Sequence, residues 1–400
     1  MGSSRRRAAS PSPARTGNRG SEAEKRPGVL TAVLILLSLQ AVTLLAALEA
    51  MPSLKASPIA VAAIGVVSLA VVGAGALRAF RACGCQFSLA AVFFAVTGWS
   101  AAIDLVLALS LLGLTRLGKF YVVNGEEYFK SSWGCFALLW DGTAHYAAQL
   151  FLAHATLLGR PCRRVGLAWA GSIINSMPVL LLGGATGHYS ADIKPSTGLN
   201  APYVLVPIAY LVTILDEDHT TMKPARPAAA KATTRAVMTA NAKPASVSHR
   251  YVSAAWALGH ILAVLVHAWR AVVVLGSRAP LALWWIAQVE PILGDSSRPS
   301  FGFIRVQCLV FFFYYVPYHA WATHSLLTTK PSDAKRRQTL ATWSMVVAGG
   351  YAQAQVCCGS AAFLKWTGFE PLQMVARTPA AGLALNLALA ALPAAFAATR

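Results

Sequence analysis

Long apolar runs alternate with short polar connections over most of the chain. A helix needs roughly 20 apolar residues to cross the hydrocarbon core of a bilayer. Spanning segments that do not close into a barrel must be helices, because unpaired backbone groups are too costly in hydrocarbon. The pattern therefore predicts ten transmembrane helices, over residues 29–49, 57–77, 88–114, 133–158, 165–187, 199–215, 251–276, 301–327, 340–364 and 380–398.

Two stretches depart from this simple pattern. The sixth segment is short, and Pro202 and Pro207 are expected to kink it. Residues 280–293 are too short to span, and they place Trp284 and Trp285 between two prolines. Because tryptophan is enriched at membrane surfaces, we expect this stretch to be interfacial.

Composition agrees with lipid as the solvent. Hydrophobic residues make up 56% of the chain, charged residues only 12%, and the mean hydropathy is +0.54. Soluble domains carry about 25% charged residues. The sequence therefore predicts an all-α polytopic membrane protein and argues against a soluble globular domain.

The net charge of +19 is distributed unevenly among the connections. Connections on the predicted side of the N-terminus are richer in Lys and Arg than those opposite. They contain Arg78 and Arg81, then Arg160, Arg163 and Arg164, and later Lys330, Lys335, Arg336 and Arg337. The positive-inside rule places both termini in the cytosol, which is consistent with an even number of helices. We expect the basic clusters to contact anionic lipid head groups, not nucleic acid.

Two polar segments interrupt the apolar pattern. Residues 1–27 are basic and rich in Ser, Pro and Ala, which predicts a disordered cytosolic tail. Their start is rich in Arg and Ser and poor in acids. This composition is also typical of an organelle transit peptide, so that interpretation stays open. Residues 216–250 form a long linker, predicted to be cytosolic, between the sixth and seventh helices.

The four helices on either side of this linker follow a similar order. Each set has a helix, a polar connection with acids, and then a helix with buried polar groups. The acids are Glu126 and Glu127 in the first set, and Glu290 and Asp295 in the second. The pattern predicts two N-terminal helices over 28–80, followed by repeated four-helix units over 88–215 and 251–398. Membrane proteins built from repeats often have sites near the repeat interface.

Carboxylates within the spans are the strongest candidates for function, because they are expensive to bury and need partners. Asp104 lies in the middle of the third helix, with Ser100 one turn earlier on the same face. Asp141 and His145 are four residues apart, so they share a helix face and can hydrogen-bond. Two interpretations stay open, a ligand cavity and a purely structural pair.

Other polar residues in the spans favour packing. Interhelical hydrogen bonds are the expected role of Ser172, Asn175, Gln353 and Gln355. His319 and His324 lie toward the end of the eighth helix, where we expect them to be hydrated or interfacial. The seven cysteines form no pair of pairs typical of a metal site, and are expected to be reduced packing residues. The sequence predicts no metal and no cofactor.

Five stretches of the chain resemble the transmembrane 6 superfamily, whose members carry two EXPERA domains. They occur in the family's order over roughly residues 88–364. They are 126-EEYFKSSWGCFALLWDGTAHY-146, 169-WAGSIINSMPVLLLGGATGHYSADIKP-195, 202-PYVLVP-207, 288-QVEPILGD-295 and 348-AGGYAQAQ-355. The resemblance implies ten helices arranged as two plus four plus four, which agrees with the hydropathy pattern.

The resemblance also implies a location and a site. It implies a protein of the endoplasmic reticulum membrane, with the Golgi as a second compartment, that handles neutral lipid, sterol and lipoprotein. Relatives such as the sterol Δ8–Δ7 isomerase and the sigma-2 receptor enclose a sterol or amine among four helices. The ligand-binding residues predicted here are Asp104, Glu126, Trp140, Asp141, His145, Asn175, Glu290 and Gln307.

Three hypotheses follow for function. The first is a non-enzymatic protein that binds sterol or another neutral lipid and supports lipid homeostasis or transfer. The second is a sterol Δ8–Δ7 isomerase that uses Asp104, Asp141 and His145, and the third is a proton-coupled transporter. Gln307 replaces an expected acid and Arg270 is a cation on the first helix of the second unit, so the first unit is the better candidate site.

Overall fold

The computed structural model describes residues 19–221, 247–329, 333–365, 373–374 and 380–398. Nearly all of this part of the chain is helical, which confirms the all-α prediction. The exception is a small antiparallel pair of two-residue strands, β1 (Leu364–Lys365) and β2 (Gln373–Met374).

The first half of the described chain contains nine α-helices. They are α1 (Arg19–Glu49), α2 (Pro52–Lys55), α3 (Pro58–Ala82), α4 (Leu89–Leu111), α5 (Lys119–Asn124), α6 (Ser132–Trp140), α7 (Tyr146–Leu157), α8 (Arg163–Thr186) and α9 (Ala201–Thr221). Three 3₁₀-helices lie between them, at Glu127–Lys130, Ser190–Asp192 and Pro195–Asn200.

The second half contains six more α-helices among the described residues. They are α10 (Val247–Val274), α11 (Pro280–Gln288), α12 (Phe301–Val310), α13 (Val316–Thr328), α14 (Ala334–Phe363) and α15 (Ala380–Ala398). One 3₁₀-helix spans Pro291–Gly294. The short helix α11 and this 3₁₀ turn occupy the stretch predicted to be interfacial.

Eight helical segments in the described part of the chain are long and apolar enough to cross a membrane. The other two long segments, residues 132–157 and α14, carry more polar side chains. Helix α3 shows the outward face expected in lipid, since Ile59, Val66 and Val71 are all exposed. The chain is therefore a multi-pass membrane protein, and each of the ten predicted spans contains a helix.

Several boundaries differ from the predicted ones. Helix α1 begins at Arg19, inside the predicted tail, and residues 1–18 lie outside the described residues. Helices α9 and α10 extend into both ends of the predicted linker, of which residues 222–246 are not described. Pro202 is the second residue of α9, where proline fits without loss of a hydrogen bond, so it does not kink the helix. Pro207 lies within the helix.

A π-helical turn interrupts the second helix of each predicted unit, which the sequence did not indicate. Asp141–His145 joins α6 to α7, and Phe311–Tyr315 joins α12 to α13. Such turns are rare overall, and those that do occur often lie at functional sites. The two turns occupy corresponding places in the chain order of the two predicted units.

The connection before each interrupted helix is also repeated. Glu126 precedes one 3₁₀ turn with φ −132° and ψ 83°, and Glu290 precedes another with φ −139° and ψ 76°. Both side chains are buried. The two glutamates therefore occupy equivalent positions in a repeated structural element.

Helices α8 and α14 run parallel and join the two halves. A Cβ atom added to Gly171 would overlap Val346, and one added to Gly349 would overlap Ala168. Glycine at these positions lets the two backbones approach closely, as is common between membrane helices. Further along the same interface, Asn175 donates to Gln353 at 2.7 Å.

One prediction about the eighth span is wrong. His319 is fully buried, not interfacial, and its Nδ1 lies 2.7 Å from His260 Nδ1. Its Nε2 bonds the hydroxyl of Tyr351, which also contacts His267. The side chain is buried because α13 packs against α10, whose histidines face it. His324 is exposed, as expected.

Candidate functional site

The first half of the molecule encloses a cavity that brings three predicted site residues together. Asp104 comes from α4, Glu126 from the connection after α5, and Asp141 from the π turn. The centre of a water molecule can occupy about 130 Å³ of this space. No Arg, Lys or His lies among the described residues that line it. The cavity is therefore acidic, and we call it the acidic cavity.

The rest of the wall of the acidic cavity is largely apolar. Aromatic and aliphatic side chains from several elements contribute, among them Leu45, Trp99, Ile103, Phe129, Trp133 and Met177. Apolar walls with a few convergent polar groups are typical of small-molecule sites. The arrangement suits a largely hydrophobic ligand with one polar end.

Asp104 is the acid with the fewest partners. Its carboxylate makes no hydrogen bond or ion pair with any residue in the described ranges. Ser100 lines the same cavity, as its spacing of one helical turn predicted. Because a carboxylate in a membrane span needs a partner, Asp104 is available to a ligand.

Glu126 is held by three donors. Tyr121 Oη donates to Oε2 at 2.9 Å, Asn200 Nδ2 donates to Oε1 at 2.7 Å, and Tyr128 Oη also donates to Oε1. Burial raises the pKa of Glu126 from its usual 4.5 to about 7, and these hydrogen bonds offset part of that effect. Burial and the nearby carboxylate also raise the pKa of Tyr121 and Tyr128, which remain neutral donors.

Asp141 is held by the histidine one π turn later. Its Oδ1 lies 2.5 Å from His145 Nδ1, which confirms the hydrogen bond predicted from their spacing. His145 Nε2 lies 2.7 Å from Ser172 Oγ on α8, and Trp140 Nε1 donates to both at 3.0 and 3.1 Å. Of these residues only Asp141 lines the acidic cavity. His145, Trp140 and Ser172 therefore position Asp141 from behind.

The π turn brings its helix close to α4. A Cβ added to Gly142 would lie 2.5 Å from Leu105 Cβ, so only glycine allows this approach. Leu105 follows Asp104 directly, and Gly142 follows Asp141. The contact therefore fixes the spacing of two of the three acids.

Asn175 lies away from the acidic cavity, in the interface between the two halves. It donates to Gln307 Oε1 at 3.3 Å and to Gln353 Oε1 at 2.7 Å. Its Oδ1 accepts from Gln307 at 2.9 Å and from Tyr315 at 3.0 Å. This network confirms the interhelical role predicted for Asn175 and Gln353.

Glu290 and Gln307 line a second, separate cavity, formed mainly by the other half. Its volume is about 340 Å³ by the same measure, and it shares no lining residue with the acidic cavity. Arg270 binds Glu290 through two nitrogens, with Nε at 2.9 Å from Oε2. Asn386 and Trp285 also bond this pair. Because Arg270 pairs with Glu290, the second cavity lacks, among its described lining residues, an unpaired carboxyl group like that of Asp104 in the first.

Three partners of the acids were missed from the sequence. Tyr121, Tyr128 and Asn200 converge on Glu126 from separate elements, and their spacing gives no helical or strand period. Ser172 was assigned to packing, although it bonds the histidine that holds Asp141. Among the described residues, no group of three or more His, Cys, Asp or Glu side chains could hold a metal ion.

Comparison with known proteins gives one consistent result. Residues 40–225 match the family described as Transmembrane 6 superfamily member 2-like, transmembrane domain. The chain is similar to Transmembrane 6 superfamily member 2 of Rattus norvegicus, with 32% identity over 263 residues, and of Homo sapiens, with 31% over 266 residues. Each match covers 66% of this chain and 64% of the relative. No solved structure matches the chain.

Proposed function

Because this chain is a member of the transmembrane 6 superfamily, we propose that it binds a sterol or another neutral lipid in the acidic cavity. By this binding it supports lipid homeostasis or lipid transfer in the endoplasmic reticulum membrane, with both termini in the cytosol. One observation carries the proposal. Asp104, Glu126 and Asp141 come from three separate elements and line one cavity with mainly apolar walls.

The chemistry of the cavity fits an amphipathic ligand. Carboxyl oxygens accept hydrogen bonds, so Asp104 and Asp141 suit a ligand that donates one, such as the hydroxyl of a sterol. The apolar wall matches the hydrocarbon body of such a ligand, and its burial provides most of the affinity. Basic side chains, which would recruit an anionic lipid, do not line the cavity within the described residues.

A sterol Δ8–Δ7 isomerase is the second candidate. That reaction needs one group to protonate a double bond and another to remove a proton. Glu126 favours this candidate, because an acid with a pKa of about 7 can exchange protons near neutral pH. His145 argues against it, since both of its ring nitrogens are engaged and it does not line the cavity.

Lipid binding is tested with the full chain in mild detergent and a photoactivatable cholesterol probe. We expect saturable labelling that unlabelled cholesterol competes away, and weaker labelling for Asp104→Asn and Asp141→Asn. Asp192→Asn is the matched control, because Asp192 lies outside the cavity. Equal labelling of all four proteins would refute the proposed site.

The isomerase candidate is tested by expression in yeast that lack sterol Δ8–Δ7 isomerase, followed by sterol analysis. A binding protein leaves Δ8 sterols unchanged. Appearance of Δ7 sterols that Asp141→Asn abolishes would replace the binding proposal with the enzymatic one. The third hypothesis, a proton-coupled transporter, needs a path that joins both faces, whereas the two cavities share no lining residue.

A further inference from the structure

A basic pocket lies where helices α8 and α14 begin. Arg163 and Arg164 from α8 and Arg337 from α14 line it, and no acidic residue does so among those described. Gln338 and Thr342 add polar side chains, and the space measures about 610 Å³. The pocket is distinct from both cavities described above.

The backbone adds to the positive potential of this pocket. Helices α8 and α14 are parallel, because Arg163 contacts Thr342 and, about three turns later in both helices, Asn175 contacts Gln353. Both N-termini therefore point to the same end. A helix N-terminus carries a partial positive charge and favours anions.

Two features fix the shape of the pocket. Arg163 donates to Thr342 Oγ1 at 3.0 Å, and Thr342 is buried. The glycine contacts at Gly171 and Gly349 hold the two helices together one to three turns deeper. The arginines are therefore presented from a rigid base.

The depth of the pocket matches that of lipid head groups. The span of α8 begins at Arg163, so the three arginines lie at the edge of the apolar region. Leu167 and Met345 line the pocket on the membrane side of the arginines. Such basic pockets between transmembrane helices suit phosphate-bearing head groups.

From this arrangement we propose that the pocket between α8 and α14 binds a phosphate group, carried by an anionic phospholipid. Arg164 and Arg337 make no ion pair with any described residue, so their charges are available. Each guanidinium group can donate hydrogen bonds to two phosphate oxygens at once. This geometry favours a phosphomonoester as the bound group. Asp333, the nearest acid in sequence to Arg337, caps α14 by accepting from Arg336 N–H at 3.0 Å and does not line the pocket.

The test uses the full chain in neutral detergent and three probes. These are dioctanoyl phosphatidic acid, dioctanoyl phosphatidylcholine and inorganic phosphate, with binding followed by native mass spectrometry and microscale thermophoresis. The pocket variant is Arg164→Gln/Arg337→Gln. The control variant, Arg116→Gln/Arg278→Gln, removes two exposed arginines that do not line the pocket and lie outside the basic clusters.

We expect phosphatidic acid to bind more tightly than phosphatidylcholine, and the pocket variant to lose about fivefold in affinity for each arginine removed. The control variant should bind like the unmodified chain. Inorganic phosphate that binds alone, with the same sensitivity, would identify a free phosphate as the source instead of a lipid. Unchanged affinity of the pocket variant, or an equal loss in the control, would overturn the proposal.

The single variants Arg164→Gln and Arg337→Gln are measured in parallel, so the test stands if the double variant does not fold. The unfolding temperature in detergent reports whether each variant is intact, so this control does not depend on lipid binding in the acidic cavity. Because that cavity shares no residue with this pocket, the two proposals can fail separately.

Discussion

Asp141 Oδ1 and His145 Nδ1 lie 2.5 Å apart across a single π-helical turn. The aspartate faces the acidic cavity, whereas the histidine faces α8 and bonds Ser172. Since His145 is buried and its two ring nitrogens have partners on opposite sides, it links the cavity wall to the helix that joins the two halves. The pair therefore has a structural role, and its aspartate also lines the acidic cavity.

Replacing His145 by alanine should weaken stability and lipid binding together. The change leaves Asp141 without its donor, and loss of a buried hydrogen bond costs about 1–3 kcal/mol of unfolding free energy. Thermal unfolding in detergent and cholesterol-probe labelling measure the two effects. If the residues act as a unit, Asp141→Asn/His145→Ala should lose less than the sum of the single variants.

His324→Ala is the control for that experiment, because His324 is exposed on α13. It should unfold and label like the unmodified chain. Full additivity in the double variant would show that the 2.5 Å contact does not couple the two side chains.

The raised pKa of Glu126 predicts that stability falls as pH rises. In the folded protein the carboxyl titrates near 7, and in the unfolded chain near 4.5. Between these values the unfolded state holds fewer protons than the folded state, so raising the pH favours unfolding. The total penalty from Glu126 is about 3 kcal/mol, complete by pH 8 and absent below about pH 4.5.

Glu126→Gln removes the titrating group and should flatten this dependence. The measurement is the unfolding temperature of both proteins in detergent between pH 5 and 8. The difference between them isolates Glu126 from other titrating groups. Parallel curves across this range would show that Glu126 does not keep its proton in the folded state.

The Arg270–Glu290 pair predicts an asymmetric response to mutation. Loss of Arg270 alone leaves Glu290 buried and charged, which typically costs 3–5 kcal/mol. Removing both charges, in Arg270→Met/Glu290→Gln, should restore much of that loss. Unfolding temperatures of Arg270→Met and of the double variant give the comparison, with Arg278→Met as an exposed control. A double variant less stable than Arg270→Met would contradict this account.

Hydropathy and spacing were sufficient for the spans and for the Asp141–His145 contact, because both depend on short-range periodicity. The sequence did not reveal the π turns at Asp141 and Phe311, since the shift in backbone hydrogen bonding leaves the apolar pattern unchanged. Nor did it reveal that Tyr121 and Asn200 meet at Glu126, or that His319 is buried. Those features depend on which helices pack together, and the pattern of a single helix does not contain that information.

The close contact of α8 with α14 predicts opposite effects for two glycine substitutions. A methyl group at Gly171 would overlap the backbone of Val346, and Gly171→Ala should cost about 1–3 kcal/mol through overpacking. Gly359 also lies in α14, but a Cβ there meets nothing within 4 Å. Because alanine favours helix over glycine, Gly359→Ala should be neutral or stabilising by up to about 1 kcal/mol. The unfolding temperatures of the two variants in detergent measure these effects. Equal unfolding temperatures would mean that the two helices can separate without loss of stability.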